Sequence, residues 1–505
     1  MNNLAHTRTL FWLTIGLITI LITFYFKTEY DVYWHIKVGE WIVNNLKIPS
    51  TGIFSHTKAD KPWTPHEWLS EVIIYLIFNI LGWPGLVMMG MIALTLSILI
   101  MLRYLIAKLP TIRALYLTLM GYGLLMPHIM PRPHILALPI MTFWFVQLLK
   151  ASEQHQAPSR YLILMLILWA NIHGSFLIGI VYALFFAIEA ITTAPQTVDR
   201  IQLTKQWTCF LLICLACLAA TPLGIRGILL PFQLTGQNYL TSHIGEWLSP
   251  NFQSFQFLEL WIIAVIIFGF TQKMELPLLR LIFLIGLIHL SLKHQRYGSD
   301  LMSLQAPLLL AAPLAKHWRI PSQSHKFTLT SLLPITRYGK MLLISALMSW
   351  SIYIFAYKDI EYPLSKNINS ILTTIRQENL PGKVYNSYAL GGYLIFQGFN
   401  TFIDSRGELY QDDFIESFMN ANGLVGGEKK LNALFDQHPE VSWALLTAEE
   451  ASIAYFNMNP DWTLVYSNNF AAIYARKNQW HQQSIDQLKL KLQQFDTKLN
   501  DEVSP

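Results

Sequence analysis

Residues 10–26 read LFWLTIGLITILITFYF and run straight into Lys27-Thr28-Glu29-Tyr30-Asp31-Val32-Tyr33-Trp34-His35. A run of this length is about enough to cross a hydrocarbon core of roughly 30 Å. Arg8 precedes it, and the residues after it are bulky and charged, with no small-residue cleavage site. The run is therefore expected to be an uncleaved anchor rather than a removed signal peptide. Two acids follow directly where the chain leaves the apolar run, and this junction sets the reading of everything downstream.

Ten further apolar runs lie at 85–102, 114–130, 134–149, 161–172, 176–191, 207–221, 257–271, 276–292, 301–315 and 341–357. With the first they make about eleven expected membrane spans. The stretch 67–81 is apolar too, but it begins with charged residues and ends at Gly82-Trp83-Pro84. It is expected to lie along the membrane interface or dip into it.

Composition agrees. Of 505 residues 53% are hydrophobic and 13% charged, against roughly 25% charged in a soluble domain, which excludes an ordinary soluble enzyme. Residues 1–357 hold 24 Lys and Arg against 13 Asp and Glu, whereas 358–505 hold 12 against 18. The first part is built for lipid and the last for water. The expected division is a mostly α polytopic transmembrane domain at 1–357, a soluble α/β domain at 358–480 and a polar, helix-spaced tail at 481–505, with 27–84 a long first outer loop. Within the soluble part, 383–388, 401–404, 442–447 and 462–476 read as strands, and 411–420 and 428–437 as helices. The positive excess is scattered between apolar runs, so nucleic acid is not a partner. Cys209, Cys214 and Cys217 share one apolar run and read as small buried hydrophobes.

Lys and Arg of short loops stay on the cytoplasmic side. Eleven spans with a cytoplasmic N-terminus put 15 of the 24 basic residues of 1–357 on the inner side. An odd span number then carries the C-terminal domain out of the cytoplasm, to the periplasm if the membrane is a bacterial inner one. Under this topology the conspicuous polar residues share the outer face. Glu29, Asp31, His35, His66 and Glu67 lie in the first outer loop, and Arg132 and His134 in the turn Pro131-Arg132-Pro133-His134. Asn171 and His173 flank a turn, Glu246 follows the seventh span, and Lys293, His294 and Arg296 follow the ninth.

Singly, each has a structural explanation as a snorkelling side chain, a helix cap or a solvated charge. Jointly they describe an outward cleft of carboxylates, imidazoles and guanidinium groups suited to acid–base chemistry on an anionic substrate. Outside the cytoplasm nucleotide-activated donors are not at hand, so group transfer there needs a lipid-carried donor. A leaving isoprenoid phosphate needs cations, which Arg132, His294 and Arg296 offer, and an acceptor hydroxyl needs a positioned carboxylate, with Asp31 the leading choice. His35, His66, Glu67 and His173 are ligand types for a divalent metal, though dispersed over loops without a tight spacing. In the tail, Asp404 and Arg406 either face an acceptor or form a strand-end ion pair.

Glu29-Tyr30-Asp31, placed after the first span, resembles the acidic ExD/DxD signature of the GT-C superfamily of membrane glycosyltransferases, which includes protein O-mannosyltransferases and lipid A aminoarabinose transferases. A bacterial group within it is similar at Asp31-Val-Tyr-Trp-His35, Ile48-Pro49 with Phe54-Ser55, Pro62-Trp63, and His66-Glu67-Trp68-Leu69. The similarity continues at Pro131-Arg132-Pro133-His134, Trp169-Ala-Asn171-Ile-His173-Gly174, Glu246-Trp247-Leu-Ser249-Pro250, Gly391-Gly392-Tyr393 and Asp404-Ser-Arg406-Gly407. The resemblance covers nearly the whole chain. It implies a GT-C-like fold and an inner-membrane enzyme that moves a sugar from a polyprenyl-phosphate carrier to an envelope glycan, lipid or protein. Asp31 would be the general base of an inverting transfer and Glu29 its support. The rival functions are a flippase for such a lipid and a noncatalytic envelope assembly protein.

Overall fold

The computed structural model describes Gly16 and residues 29–271, 275–317, 363–377 and 382–503. Nine of the eleven apolar runs overlap helices. Of 10–26 only Gly16 is described, and 341–357 lies outside the described residues.

The first helix, Asp31–Asn45 (α1), packs against Trp68–Lys108 (α2). Their approach is close enough that a Cβ on Gly39 would stand 2.1 Å from the Glu71 carbonyl oxygen. The helix α2 breaks direction at Gly82, where φ is 61° and ψ −154°. That conformation suits glycine, and Pro84 follows, so the break falls on the Gly-Trp-Pro punctuation. Next come Thr111–Leu125 (α3), Pro133–Glu153 (α4), Tyr161–Ile172 (α5), Phe176–Thr192 (α6) and Arg200–Cys217 (α7). Then follow Ile225–Thr235 (α8), Asn238–His243 (α9), Phe257–Thr271 (α10), Leu278–Lys293 (α11) and Ser303–His317 (α12).

Of these, α2 and α4 have the length and apolar character of a membrane span; α5, α6, α8 and α10 are apolar but shorter. Exposed apolar side chains such as Ile92, Tyr116, Leu164, Val181, Ile267 and Ile285 stud the bundle surface. Such a surface suits hydrocarbon, where helices satisfy their backbone polar groups internally.

One end of the bundle is closed by charge. Arg280 of α11 donates to Glu189 of α6 at 2.6 and 3.2 Å and reaches Glu153 of α4 at 3.4 Å. Lys108 and the Tyr104 hydroxyl each bind Glu153 at 2.7 Å, and Ser152 donates to Glu189 at 2.7 Å. Arg280 and Lys108 are therefore part of a network joining four helices.

The tail carries a four-stranded mixed sheet. Lys383–Asn386 (β1) runs parallel to Val441–Thr447 (β2), while Trp462–Ser467 (β3) and Ala471–Arg476 (β4) form a hairpin whose β4 pairs antiparallel with β2. The order is β1-β2-β4-β3. The expected strand at 401–404 is not one. Thr401 makes a single parallel bridge to Ser55 of the first loop, and the segment's polar groups are taken by Asp404 and Asn386 side chains instead of a ladder.

Sheet and first loop share apolar cores. Val32, Tyr33 and Ile36 of α1 pack with Val384, Leu394 and Trp443, while Trp34, Val38 and Trp63 pack with Tyr385, Phe402 and Phe418. Gly391 and Gly392, where the short helix Gly391–Phe396 begins, admit the Asp404 backbone and the Tyr30 carbonyl. A Cβ on Gly392 would lie 2.3 Å from that oxygen. The tail is thus pressed directly onto the Glu29–Asp31 corner.

Candidate active site

A cavity of about 940 Å³ opens where the helices meet the first loop and the tail. Its walls divide by chemistry. One part is apolar, with Leu138, Met141, Val181, Leu215 and Phe232, and the other carries charged and titratable groups from widely separated segments.

Asp31 opens α1, so its carboxylate sits at a helix N-terminus, where the backbone N–H groups favour negative charge. Arg132 caps α4 between Pro131 and Pro133, which fix its backbone. Its Nη2 meets Glu29 and lies 2.6 Å from Asp31, and Nη1 donates to Glu246 at 3.0 Å. The other Glu246 oxygen accepts from Arg296 at 3.1 Å, whose guanidinium lies 4.7 Å from the Trp247 ring centre. His128 binds Asp300 at 2.8 Å, approaches Glu246 at 3.5 Å and stacks on His134 with ring centres 4.4 Å apart. The Ser405 hydroxyl donates to Asp31 and accepts from the Trp34 indole at 3.0 Å.

Burial raises the pKa of Asp31 and Glu29, against the pull of Arg132. Glu29 is pushed up to about 7, with the charges of Asp31 and Glu246 adding to burial. Glu246 goes the other way: burial opposes its charge, but Arg296 and Arg132 outweigh it and hold the carboxylate ionised well below the usual range. The corner therefore sets two carboxyls whose charge burial disfavours, Glu29 and Asp31, beside Arg132 and the ionised Glu246.

On the second polar wall, His66 and His173 both reach Glu67, at 3.5 and 3.3 Å. Burial opposes protonation of His66, but Glu67 raises it to about 9. Burial holds His35 neutral, near 3, and its ring turns to Glu71 at 3.3 Å.

Ten of the residues singled out in the sequence line this cavity: Glu29, Asp31, His35, His66, Glu67, Arg132, His134, His173, Glu246 and Arg296. Four do not. Asn171 is a tie, accepting from Trp68 and donating to the Ile167 and Ala220 carbonyls. His294 turns to the Trp247 carbonyl. Asp404 and Arg406, at 0% and 1% exposure, close on each other at 2.7 Å twice, and Tyr410 and Thr401 complete the carboxylate. They hold the turn that aims Ser405 at Asp31. The sequence reading missed His128, Asp300 and Ser405. Asp300 stands four residues after Arg296, a spacing that pairs charges on helical turns.

A divalent metal does not fit the acidic corner as built, because the Arg132 guanidinium already stands among Glu29, Asp31 and Glu246. Of the ligands offered by sequence, His66 and His173 both reach Glu67, while the Nδ1 of His35 is taken by Glu71 at 3.3 Å. Among the described residues a tighter group is His128, His134 and Asp300, with ligand atoms within 4.8 Å of one another.

No protein-family model and no curated protein sequence matches the chain. Solved structures do. The archaeal oligosaccharyltransferase AglB from Archaeoglobus fulgidus, in complex with an inhibitory peptide and a dolichol-phosphate, superposes with a TM-score of 0.52 at 9% identity, over 86% of this chain and 69% of that one. The same enzyme tethered to an acceptor peptide gives 0.50 at 10% identity, over 92% and 74%. This chain has the GT-C fold. ArnT from Cupriavidus metallidurans, bound to undecaprenyl phosphate, matches with a TM-score of 0.43 at 10% identity, over 92% of this chain and 97% of ArnT. As expected, the chain is mostly helical, and where a C-terminal α/β domain was expected it carries a small mixed sheet. At these identities the likeness is one of fold, and fold alone does not transfer a reaction.

Proposed function

We propose that this chain is a membrane glycosyltransferase that moves a sugar from a polyprenyl-phosphate carrier to an envelope glycan, lipid or protein, at the periplasmic face of a bacterial inner membrane. The observation that carries this reading is Asp31, placed at the polar end of a cavity whose other end is apolar. A lipid phosphate needs both, a dry groove for the isoprenoid and a charged end for its head. The GT-C neighbour holding dolichol-phosphate supports the donor class.

In the proposed step the acceptor O–H hydrogen-bonds to Asp31. Its oxygen attacks the anomeric carbon from the face opposite the phosphate, forming the new glycosidic bond. The bond from that carbon to the phosphate oxygen breaks, and the polyprenyl phosphate leaves with the electron pair. The acceptor proton passes to Asp31, so configuration inverts. Arg296 and the protonated His66, both on the cavity wall, are the cations nearest to hand for the leaving phosphate. Ser405 and Arg132 hold the two Asp31 oxygens so that one lone pair stays directed at the acceptor. Residues 67–81 lie along the interface or dip into it, and the positive-inside bias sets the topology with the tail outside.

The test is transfer of labelled sugar from a synthetic polyprenyl-phosphate donor in proteoliposomes. Asp31→Asn is expected to lower turnover by about 100-fold or more, the usual worth of a general base, with insertion unchanged. Undiminished transfer by that variant contradicts the role of Asp31. Transport of the donor without transfer by the unaltered chain favours the flippase reading.

A further inference from the structure

Three carboxylates from two distant segments close on one guanidinium. Glu29 and Asp31 come from the corner at the start of α1, Glu246 from the turn after α9, and Arg132 meets all three through its two terminal nitrogens. Convergent carboxylates are how proteins hold hard divalent ions, with oxygens at about 2.0–2.6 Å from the metal. Here the point of convergence is filled by a side chain. The Pro131-Arg132-Pro133 turn delivers it with a fixed backbone. Among the described residues its Nε and the second Glu29 oxygen, both buried, have no hydrogen-bond partner. The fork is placed for the carboxylates at the expense of its own full satisfaction.

We infer that Arg132 is a built-in cation standing in the place of a divalent ion, so that the Glu29–Asp31–Glu246 set works without a metal, and that removing Arg132 converts the set into a divalent-cation site.

Charge accounting supports this. A guanidinium is charged at every physiological pH and does not exchange with solvent, but it supplies one charge where a divalent ion supplies two. The deficit is covered by neighbours on the same carboxylate: Arg296 at 3.1 Å from one Glu246 oxygen and His128 at 3.5 Å from the other. With Arg132 gone, three carboxylates would face each other in a space poor in water, a costly arrangement that a hard cation relieves. The inference goes beyond the transferase reading and concerns the cluster whatever the cavity transfers.

The test uses the full chain in detergent, stripped with EDTA and titrated with Mn²⁺, read by electron paramagnetic resonance of bound Mn²⁺ and by the thermal midpoint. The unaltered chain is expected to show no saturable binding at these carboxylates and no midpoint shift. Arg132→Ala should bind one Mn²⁺ at least about tenfold more tightly and gain midpoint with the ion. Adding Glu246→Gln should remove that binding. Arg132→Lys, which keeps a cation in the set, should behave as the unaltered chain, and an Arg132→Ala protein that folds only with Mn²⁺ present also supports the inference. Saturable Mn²⁺ binding by the unaltered chain that Glu246→Gln abolishes overturns it, as does an Arg132→Ala protein that folds and gains no affinity. Should Arg132→Ala fail to fold even with Mn²⁺, tight Mn²⁺ binding by Arg132→Lys overturns it and none sustains it. Metal binding is read here apart from transfer, so a failure of the transferase reading leaves these outcomes intact.

Discussion

Two buried ion clusters sit at opposite ends of α4, about 30 Å apart for a helix of this length. At Glu153 the arithmetic is even. Two cations, Arg280 and Lys108, meet two carboxylates, Glu189 and Glu153, and Ser152 and Tyr104 fill remaining positions. No side chain of that network lines the cavity. At Arg132 one guanidinium serves three carboxylates, Glu29 and Arg132 keep buried atoms without partners among the described residues, and the group forms the cavity wall. Both clusters are expensive to bury. The first is closed, so it reads as a clasp between helices. The second is left incomplete, as a site must be if substrate is to finish it.

The contrast predicts different failures. The largest effect is expected from Asp31→Asn, the loss of about 100-fold or more in transfer given above, with the thermal midpoint nearly unchanged. Arg280→Ala should do the reverse. Removing one partner of a buried ion pair costs roughly 3–5 kcal/mol, so the midpoint in detergent should fall steeply while turnover per folded molecule persists. A turnover defect in folded Arg280→Ala would mean that the clasp and the site are coupled.

Ser405→Ala is expected to be milder. It removes a hydrogen bond to a charged group, worth about 1.5–3 kcal/mol, and should lower turnover by roughly 10-fold with little change in KM. An effect on KM alone would place Ser405 in binding rather than in orienting Asp31.

The smallest effect is one of pH. Glu29 sits at about 7 when folded against 4.5 unfolded. Between these values the folded chain holds a proton that the unfolded chain has released, so stability falls as pH rises through that window. Glu29→Gln should flatten the dependence of the midpoint on pH from about 4.5 to 7, and an unchanged slope would remove Glu29 from the account.

The helices were legible because apolar runs bounded by Gly, Pro and charge leave few alternatives. The Gly82 break followed from local punctuation, whereas 462–476 read only as strand and its division into the β3–β4 hairpin did not. The site was legible as a set, since ten of the proposed residues reach one cavity. What sequence could not separate was a polar residue facing the cavity from one turned away. Asn171 spends its amide tying the end of α5 to neighbouring backbone, and Asp404 and Arg406 satisfy each other. The same blindness hid Ser405, whose importance lies in a contact to Asp31 across 374 residues of chain. Nor does a one-dimensional pattern reveal that Arg280 is enclosed by four helices.

The most direct measurement is a structure of the full chain with polyprenyl phosphate bound. The account predicts the phosphate on Arg296 or His66, within hydrogen-bond reach of about 3 Å, with the isoprenoid running past Leu138, Met141 and Val181 and the sugar position open to Asp31. A phosphate seated instead in the shallow groove between α3 and α10, beside Arg113, Phe257 and Trp261, would contradict it.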